Sequence, residues 1–140
     1  MSSAPQQVIP MLSYENGVAA MEWLCKVFGF KEKTRLLADN GRLSHGEISM
    51  GHGIIMLASP TPDYEGPKRH REHCEAAAKW NQSPYIIDGL LVYVDDVMNH
   101  YEHAKNAGAN IITPPESGGI APRYRVEDLE GHRWMFIQRD

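Results

Sequence analysis

Residues 123–140, RYRVEDLEGHRWMFIQRD, decide the fold. Side chains alternate in character through residues 123–128, which is the period of a strand with one buried face. Residues 129–132 supply a turn in which Gly131 can adopt a positive φ. Residues 133–137 then run back as an aromatic-rich strand. This stretch therefore predicts a β-hairpin that closes the chain.

An earlier stretch, residues 43–57, has the same strand-turn-strand pattern. A polar-alternating strand leads into a Gly-His-Gly turn, and the apolar strand that follows carries Met56 where the closing hairpin carries Met135. Gly29 and Gly108 are each placed to end a helix, and they precede those methionines by the same 27 positions (56 − 29 and 135 − 108). Identical spacing between a helix end and a mid-strand methionine predicts an internal duplication.

Local signals place the other elements. Asn16 suits the N-cap of a helix over residues 17–28, and Asp95 or Asp96 suits that of a helix ending at Ala107. Asn-Gly at positions 40–41 tolerates positive φ values and predicts a type I′ hairpin turn.

We predict an α+β fold of two βαβββ modules, about residues 7–59 and 87–139. The remaining predicted strands are 8–14, 30–38, 89–94 and 109–113, and residues 60–86 form a surface excursion with one helix at 70–80.

Length, composition and charge set limits on the class of protein. At 140 residues and 42% hydrophobic content, the chain is one ordinary globular domain. Its formal charge of −4 argues against nucleic acid or an anionic membrane as a partner. No apolar run approaches the roughly 18 residues of a membrane span, no signal peptide is evident, and two cysteines make no disulfide framework. We expect a cytoplasmic protein.

Motifs of a known family occur in both modules. They are PMLSY (10–14), AMEWL (20–24), VFGF (27–30), HGEI (45–48), IML (55–57), YVDDV (93–97), AGA (107–109) and DLEGHRW (128–134). On these motifs the chain resembles the glyoxalase / bleomycin resistance protein / extradiol dioxygenase group, the vicinal oxygen chelate (VOC) superfamily. The resemblance implies a single domain over residues 1–140, in which each module is a half-barrel with one outer helix and a ligand cavity inside. It also implies a homodimer.

The resemblance raises the question of a metal. Enzymes of the superfamily hold a divalent ion with His, Gln or Glu side chains from the first and last strands of each module. Aligned on the motifs, the last-strand positions are Met56 and Met135, and the first-strand positions are residue 9 or 10 and residue 89 or 90. Thioethers do not satisfy an ion that prefers imidazole and carboxylate. We therefore expect no metal and no other cofactor.

The strand period and the implied fold together select the cavity residues. Alternation turns one set of side chains toward the helix, namely Gly46, Ile48, Tyr124, Val126, Trp134 and Phe136. The candidates for ligand binding are Met11, His45, Glu47, Met56, Leu91, Tyr93, Arg125, Glu127 and Met135. His45 and Glu47 are also the candidate catalytic residues, because an i, i+2 pair on one strand can bring imidazole and carboxylate together. A hydrogen-bonded polar pair that lines the pocket is the alternative.

Four other histidines are interpreted as surface residues and not as metal ligands. His70, His73 and Cys74 have a ligand-like helical spacing, but no fourth ligand is evident and a solvated basic helix face explains them better. His100 and His103 lie on a predicted helix and are interpreted as surface residues.

Two classes of function remain open. The first is a metal-free protein that binds a small apolar or aromatic molecule, like the family's bleomycin-sequestering members, with antibiotic resistance as a possible role. The second is a lyase, isomerase or dioxygenase of the glyoxalase family. It would be metal-independent, with Glu47 or His45 as general base, or would use displaced metal ligands.

Overall fold

The computed structural model describes residues 6–86, 88–119 and 121–140. The chain divides into two compact units, of which the first ends at Tyr64 and the second begins at Glu65. Each unit contains one open four-stranded mixed sheet. This confirms the predicted α+β fold of two βαβββ modules. Residues 65–86 of the excursion belong to the second unit, and residues 60–64 belong to the first.

The first unit has its sheet in the order β1-β4-β3-β2. Strand β1 runs parallel to β4, and the other neighbours are antiparallel. β1 is an edge strand, as Pro10 just before it requires. The elements are β1 (Met11–Ser13), α1 (Gly17–Trp23) continuing as a π-helical turn (Leu24–Phe28), β2 (Lys31–Leu37), β3 (Leu43–Met50) and β4 (Gly53–Ala58).

Helix α1 lies close against its sheet because of two local features. The Asn16 side chain accepts a hydrogen bond from the Ala19 N–H at 3.1 Å, which confirms the predicted N-cap. A Cβ on Gly46 of β3 would lie 2.7 Å from the Met21 sulfur, so only glycine allows this approach. The helical stretch ends at Gly29, whose φ is 87°.

The second unit repeats this sheet with its strands in the order β5-β8-β7-β6. Asp96, rather than Asp95, caps its long helix by accepting from the Asn99 N–H at 3.1 Å. The elements are α2 (Pro67–His73), α3 (Glu75–Trp80), β5 (Gly89–Val94), α4 (Val97–Asn106), β6 (Asn110–Glu116), β7 (Arg123–Glu127) and β8 (Arg133–Gln138).

The closing hairpin holds the excursion in place. Its turn is tight, since the Asp128 N–H donates to the His132 carbonyl at 2.9 Å. The Lys68 N–H in α2 donates to the Glu130 carbonyl at 2.9 Å. A Cβ on Gly131, whose φ is 91°, would lie 2.6 Å from that Lys68 nitrogen. Gly131 therefore serves both the turn and the docking of α2.

The face of the second sheet that meets α4 is aromatic. Tyr124, Val126, Trp134 and Phe136 are all buried, as their alternation predicts. The prediction for His100 is wrong, because its ring is half-buried with its centroid 4.1 Å from that of Phe136. Its Nδ1 lies 2.6 Å from the Tyr124 hydroxyl. Burial, and then the nearby Tyr101, raise the pKa of Tyr124, so the phenol in this contact stays neutral.

Three other local predictions are also wrong. The single helix at 70–80 is two helices, because Cys74 between them is extended (φ −120°, ψ 109°) and residue spacing does not report one extended residue. The turn at 39–41 is a three-residue loop, not type I′: the Ala38 N–H donates to the Arg42 carbonyl and Gly41 has φ 84°. Strand β6 runs on through two prolines to Glu116, which its edge position tolerates.

No helix within the described ranges is long and apolar enough to cross a membrane.

Candidate functional site

One row of four register partners crosses each sheet. In the first unit the row is Met11, Met56, Glu47 and Thr34. In the second unit it is Leu91, Met135, Arg125 and Thr113. We call these the first and second methionine rows. Each consists of an aliphatic or thioether side chain, a central methionine, a charged residue and a threonine, and the charge differs in sign between the two.

The methionine rows lie on the sheet faces that the helices leave open. Along β3 and β4, Ile48 and Ile55 are buried, whereas their chain neighbours Glu47 and Met56 are partly exposed. At the edge of the first row Met11 is 80% exposed, and at the edge of the second Leu91 is 53% exposed. Each unit therefore presents apolar side chains on an uncovered sheet face, a common property of binding surfaces.

The two candidate catalytic residues are brought together in the first unit. The Nε2 atom of His45 lies 2.8 Å from Oε2 of Glu47, and both side chains are partly exposed. Glu47 is also the register partner of Met56. The pair can act as a proton acceptor and its orienting group, or as a polar edge to the apolar first row.

The second unit contains a cavity of about 180 Å³ beside its methionine row. Its apolar and aromatic walls come from strands β5 and β8 and from the segment that follows α3. Arg125 and Arg133 are its charged members. The lining residues are Pro84, Tyr85, Gly89, Leu90, Leu91, Arg125, Arg133, Trp134 and Met135. Tyr93 lies further along β5, is 53% exposed and is not among them.

Glu127, one of the candidate ligand-binding residues, is buried among charged side chains of the second unit. It is 2% exposed and forms a bidentate ion pair with Arg71, at 2.9 Å for Oε1 and 2.5 Å for Oε2. The Arg133 Nε donates to Oε2 at 3.0 Å, and the Asn110 amide donates to Oε1 at 2.8 Å. Both carboxylate oxygens of the buried Glu127 side chain are therefore occupied by hydrogen bonds from Arg71, Arg133 and Asn110. We call Arg71, Glu127 and Arg133 the buried ion cluster.

The pKa of Glu127 results from opposing effects. Burial raises it, but the hydrogen bonds from Arg71 and Asn110, the charge of Arg71 and the hydrogen bond from Arg133 together hold it below the ordinary value. The carboxylate is therefore ionised at neutral pH, and the cluster contains two positive charges and one negative charge.

The buried ion cluster also shapes the cavity wall. Arg133 donates from its two terminal nitrogens to the carbonyls of Ser83 and Asn81, both at 2.6 Å. These bonds fix the segment that carries Pro84 and Tyr85 into the cavity lining. The sequence interpretation missed Arg71, which it assigned to a solvated helix face. One sequence signal could have found it. Glu127 and Arg133 face each other across the closing hairpin. A charge pair buried in a strand needs further hydrogen-bond partners, which another segment of the chain must supply.

Comparison with known proteins decides the family. The model of the Glyoxalase/Bleomycin resistance protein/Dioxygenase superfamily matches residues 11–136. The chain belongs to this superfamily. Rv0887c of Mycobacterium tuberculosis is 27% identical over 134 residues, covering 92% of this chain and 72% of that protein.

Solved structures agree with this assignment. TioX from Micromonospora sp. ML1 is 27% identical with a TM-score of 0.69, over 95% of this chain and 98% of that chain. The bleomycin-binding protein of Streptomyces verticillus, solved with copper(II)-bleomycin, is 13% identical with a TM-score of 0.61, over 99% of this chain and 100% of that chain. At that identity it shows the fold alone.

The superfamily's metal centre does not fit the first-strand and last-strand side chains of the two methionine rows. The register places Met11 beside Met56 and Leu91 beside Met135, one position beyond the first-strand residues that the motifs indicated. None of these four side chains offers imidazole or carboxylate. Within residues 6–86, 88–119 and 121–140, no three His, Cys, Asp or Glu side chains are grouped closely enough to hold a metal.

Proposed function

We propose that this superfamily member binds a small apolar or aromatic molecule at its methionine rows and needs no metal to do so. The observation that supports the proposal is the central methionine of each row, Met56 and Met135, where metal-binding relatives carry a ligand side chain. Methionine is flexible and polarisable, so it adapts to apolar surfaces and to aromatic rings.

The size of the expected contact is adequate for weak to moderate binding. An aromatic ring system that covers about 100 Å² of apolar surface gains about 2.5 kcal/mol, at about 25 cal/mol per Å². Polar orientation would come from His45 and Glu47 in the first unit and from Arg125 in the second. Sequestration of the ligand is the role that this chemistry supports, and it would give resistance if the ligand were a toxic antibiotic.

A thermal-shift screen of aromatic compounds tests the binding function directly. We expect compounds with one or two fused rings to raise the melting temperature in proportion to the logarithm of their concentration. Hits should compete with one another in a titration calorimeter. A screen in which no aromatic compound stabilises the protein would contradict the proposal.

We expect the protein purified without added metal to contain no stoichiometric divalent ion. A chelator should leave its melting temperature unchanged, because a saturated site in the folded state would contribute several kcal/mol of stability. Elemental analysis and a melting curve with and without EDTA measure both quantities. Near one equivalent of Zn, Ni, Mn or Fe, or a drop of many degrees with EDTA, would overturn this prediction.

The hydrogen bond between His45 and Glu47 favours a second candidate, a metal-independent lyase or isomerase of the glyoxalase type. The geometry suits a general base with an orienting partner. Glu47→Gln keeps the shape of the side chain but removes its basicity. A catalyst would lose turnover with little change in ligand affinity, whereas a binding protein would show no turnover before or after the change.

We expect a two-fold homodimer in solution. The edge strand β2 carries two exposed leucines, Leu36 and Leu37, which are 55% and 52% exposed. A stable dimer interface of about 1,200 Å² or more would cover such side chains. Light scattering should give twice the chain mass of 15.8 kDa at micromolar concentration. The mass of a single chain would contradict it.

A further inference from the structure

The cavity of the second unit is electropositive although the chain as a whole is acidic. Arg71 and Arg133 share one carboxylate, that of Glu127, so the buried ion cluster retains one positive charge. Arg125 adds a second, since it lines the cavity two residues from Glu127 on the same strand face. The local surplus is therefore two positive charges, from three guanidinium groups and one carboxylate.

Arg125 differs from the other arginines of this sheet. Arg133 and Arg71 are held by Glu127, and Arg133 also by two carbonyl oxygens. Arg123 donates to the Gly118 carbonyl at 3.2 Å. No hydrogen bond or ion pair joins the Arg125 side chain to any other residue that the structure describes. Its register partner in the row is Met135, which cannot neutralise a charge.

The rest of the cavity suits a flat ring. Tyr85 and Met135 supply aromatic and thioether surface, and Leu91 supplies aliphatic surface. The volume of about 180 Å³ slightly exceeds the roughly 150 Å³ of a cavity that holds benzene, so it takes one ring of a fused two-ring ligand while the second ring extends over the open sheet face. A partly buried guanidinium without a partner recognises a carboxylate through two parallel hydrogen bonds. The same guanidinium disfavours a cationic ligand, and a neutral ligand would leave it without a partner.

We propose that the second-unit cavity selects aromatic carboxylates, with Arg125 binding the carboxylate and Met135, Leu91 and Tyr85 contacting the ring. This inference rests on the proposed binding function and names its ligand class. Arg133 and Glu127 act as positioning residues, because they hold the cavity wall through Ser83 and Asn81.

The test compares 2-naphthoate with 2-naphthamide, which has the same ring and nearly the same shape but no charge. Titration calorimetry at low salt should show the wild-type protein binding naphthoate about tenfold or more tightly than naphthamide. Arg125→Gln should reduce that ratio to about one, with little change in naphthamide affinity. Arg125→Lys should keep part of the preference, because the charge remains while the two-pronged geometry is lost.

Arg123→Gln is the matched control, since Arg123 lies on the same strand two residues away but is held by backbone carbonyls. It should leave the ratio within about twofold of wild type, because Arg123 is not among the cavity-lining residues and its guanidinium already donates to the carbonyls of Gly118 and Ala121. Melting curves of all variants confirm that they fold.

The possible outcomes separate the two proposals. Equal binding of both probes to the wild type would overturn the carboxylate assignment while supporting an aromatic-binding function. A preference that Arg123→Gln removes as fully as Arg125→Gln would overturn Arg125 as the anchor. Failure of both probes to bind would overturn the binding function and this inference with it.

Discussion

Glu127→Gln is expected to lower the melting temperature by about 10 °C. The change leaves Arg71 and Arg133 facing a neutral amide in a buried site, and loss of one partner of a buried ion pair costs about 3 kcal/mol or more. For a chain of this size, each kcal/mol corresponds to about 3 or 4 °C. Differential scanning calorimetry measures the shift.

Glu116→Gln is the control for that change. Glu116 also belongs to the second sheet, on the edge strand β6, but its side chain is 55% exposed and lies 4.0 Å from Arg123. A surface pair of this kind contributes less than about 1 kcal/mol. If the two variants melt at the same temperature, the buried ion cluster does not stabilise the second unit.

The same cluster predicts a pH dependence. A carboxyl group whose pKa is lower in the folded than in the unfolded state stabilises the fold above its unfolded pKa, and that stability is lost as the pH falls through the folded pKa. The pKa of Glu127 is held below its ordinary value of 4.5. The difference in the free energy of unfolding between wild type and Glu127→Gln should therefore be constant above about pH 5 and should decrease below about pH 4.5. A difference that stays constant down to pH 3 would contradict the lowered pKa of Glu127 in the folded protein.

Met135→Glu should weaken the binding of an aromatic carboxylate by about 50-fold or more. The new carboxylate removes thioether contact worth up to about 2.5 kcal/mol for 100 Å² of ring surface. It would also pair with Arg125, the register partner of position 135, and so compete with the ligand's own carboxylate. Calorimetric titration with 2-naphthoate measures the loss.

Met135→Leu tests whether that loss comes from chemistry rather than from disturbance of the strand. Leucine is close to methionine in volume and is apolar, so a swap of this kind costs less than about 1.5 kcal/mol. We expect its naphthoate affinity to remain within a few-fold of wild type. If Met135→Glu binds as well as wild type, the ligand does not contact the second methionine row.

The parts of the fold that the sequence predicted correctly depend on local chemistry. Asn16 and Asp96 cap helices, Gly29 and Gly108 end helical stretches with positive φ, and the closing hairpin alternates between two faces. Each of these signals involves residues a few positions apart. The predicted repeat of 27 positions corresponds to real structural equivalence, because Met56 and Met135 occupy the same place in their rows.

The parts that were missed depend on distant partners. Arg71 and Glu127 are 56 positions apart, and nothing near Arg71 in the sequence distinguishes it from its solvated neighbours. His100 pairs with Tyr124 across 24 positions for the same reason. The alternation of side chains along the strand predicted that Glu127 and Arg125 share a face. It could not show that the excursion covers Glu127 and leaves Arg125 open. The role of each charged residue therefore required the tertiary structure.

Methionine methyl NMR tests the central claim most directly, because the claim is that ligand contacts the methionine rows without metal. The measurement titrates 2-naphthoate into ¹³C-methyl-methionine protein in EDTA, with Met135 and Met56 assigned by their leucine variants. We predict saturable shifts of the Met135 methyl signal, caused by the ring of the ligand. Met21 in the core and Met98, 51% exposed on α4, should not move. Shifts confined to Met98, or no saturable shift at Met135, would contradict the account.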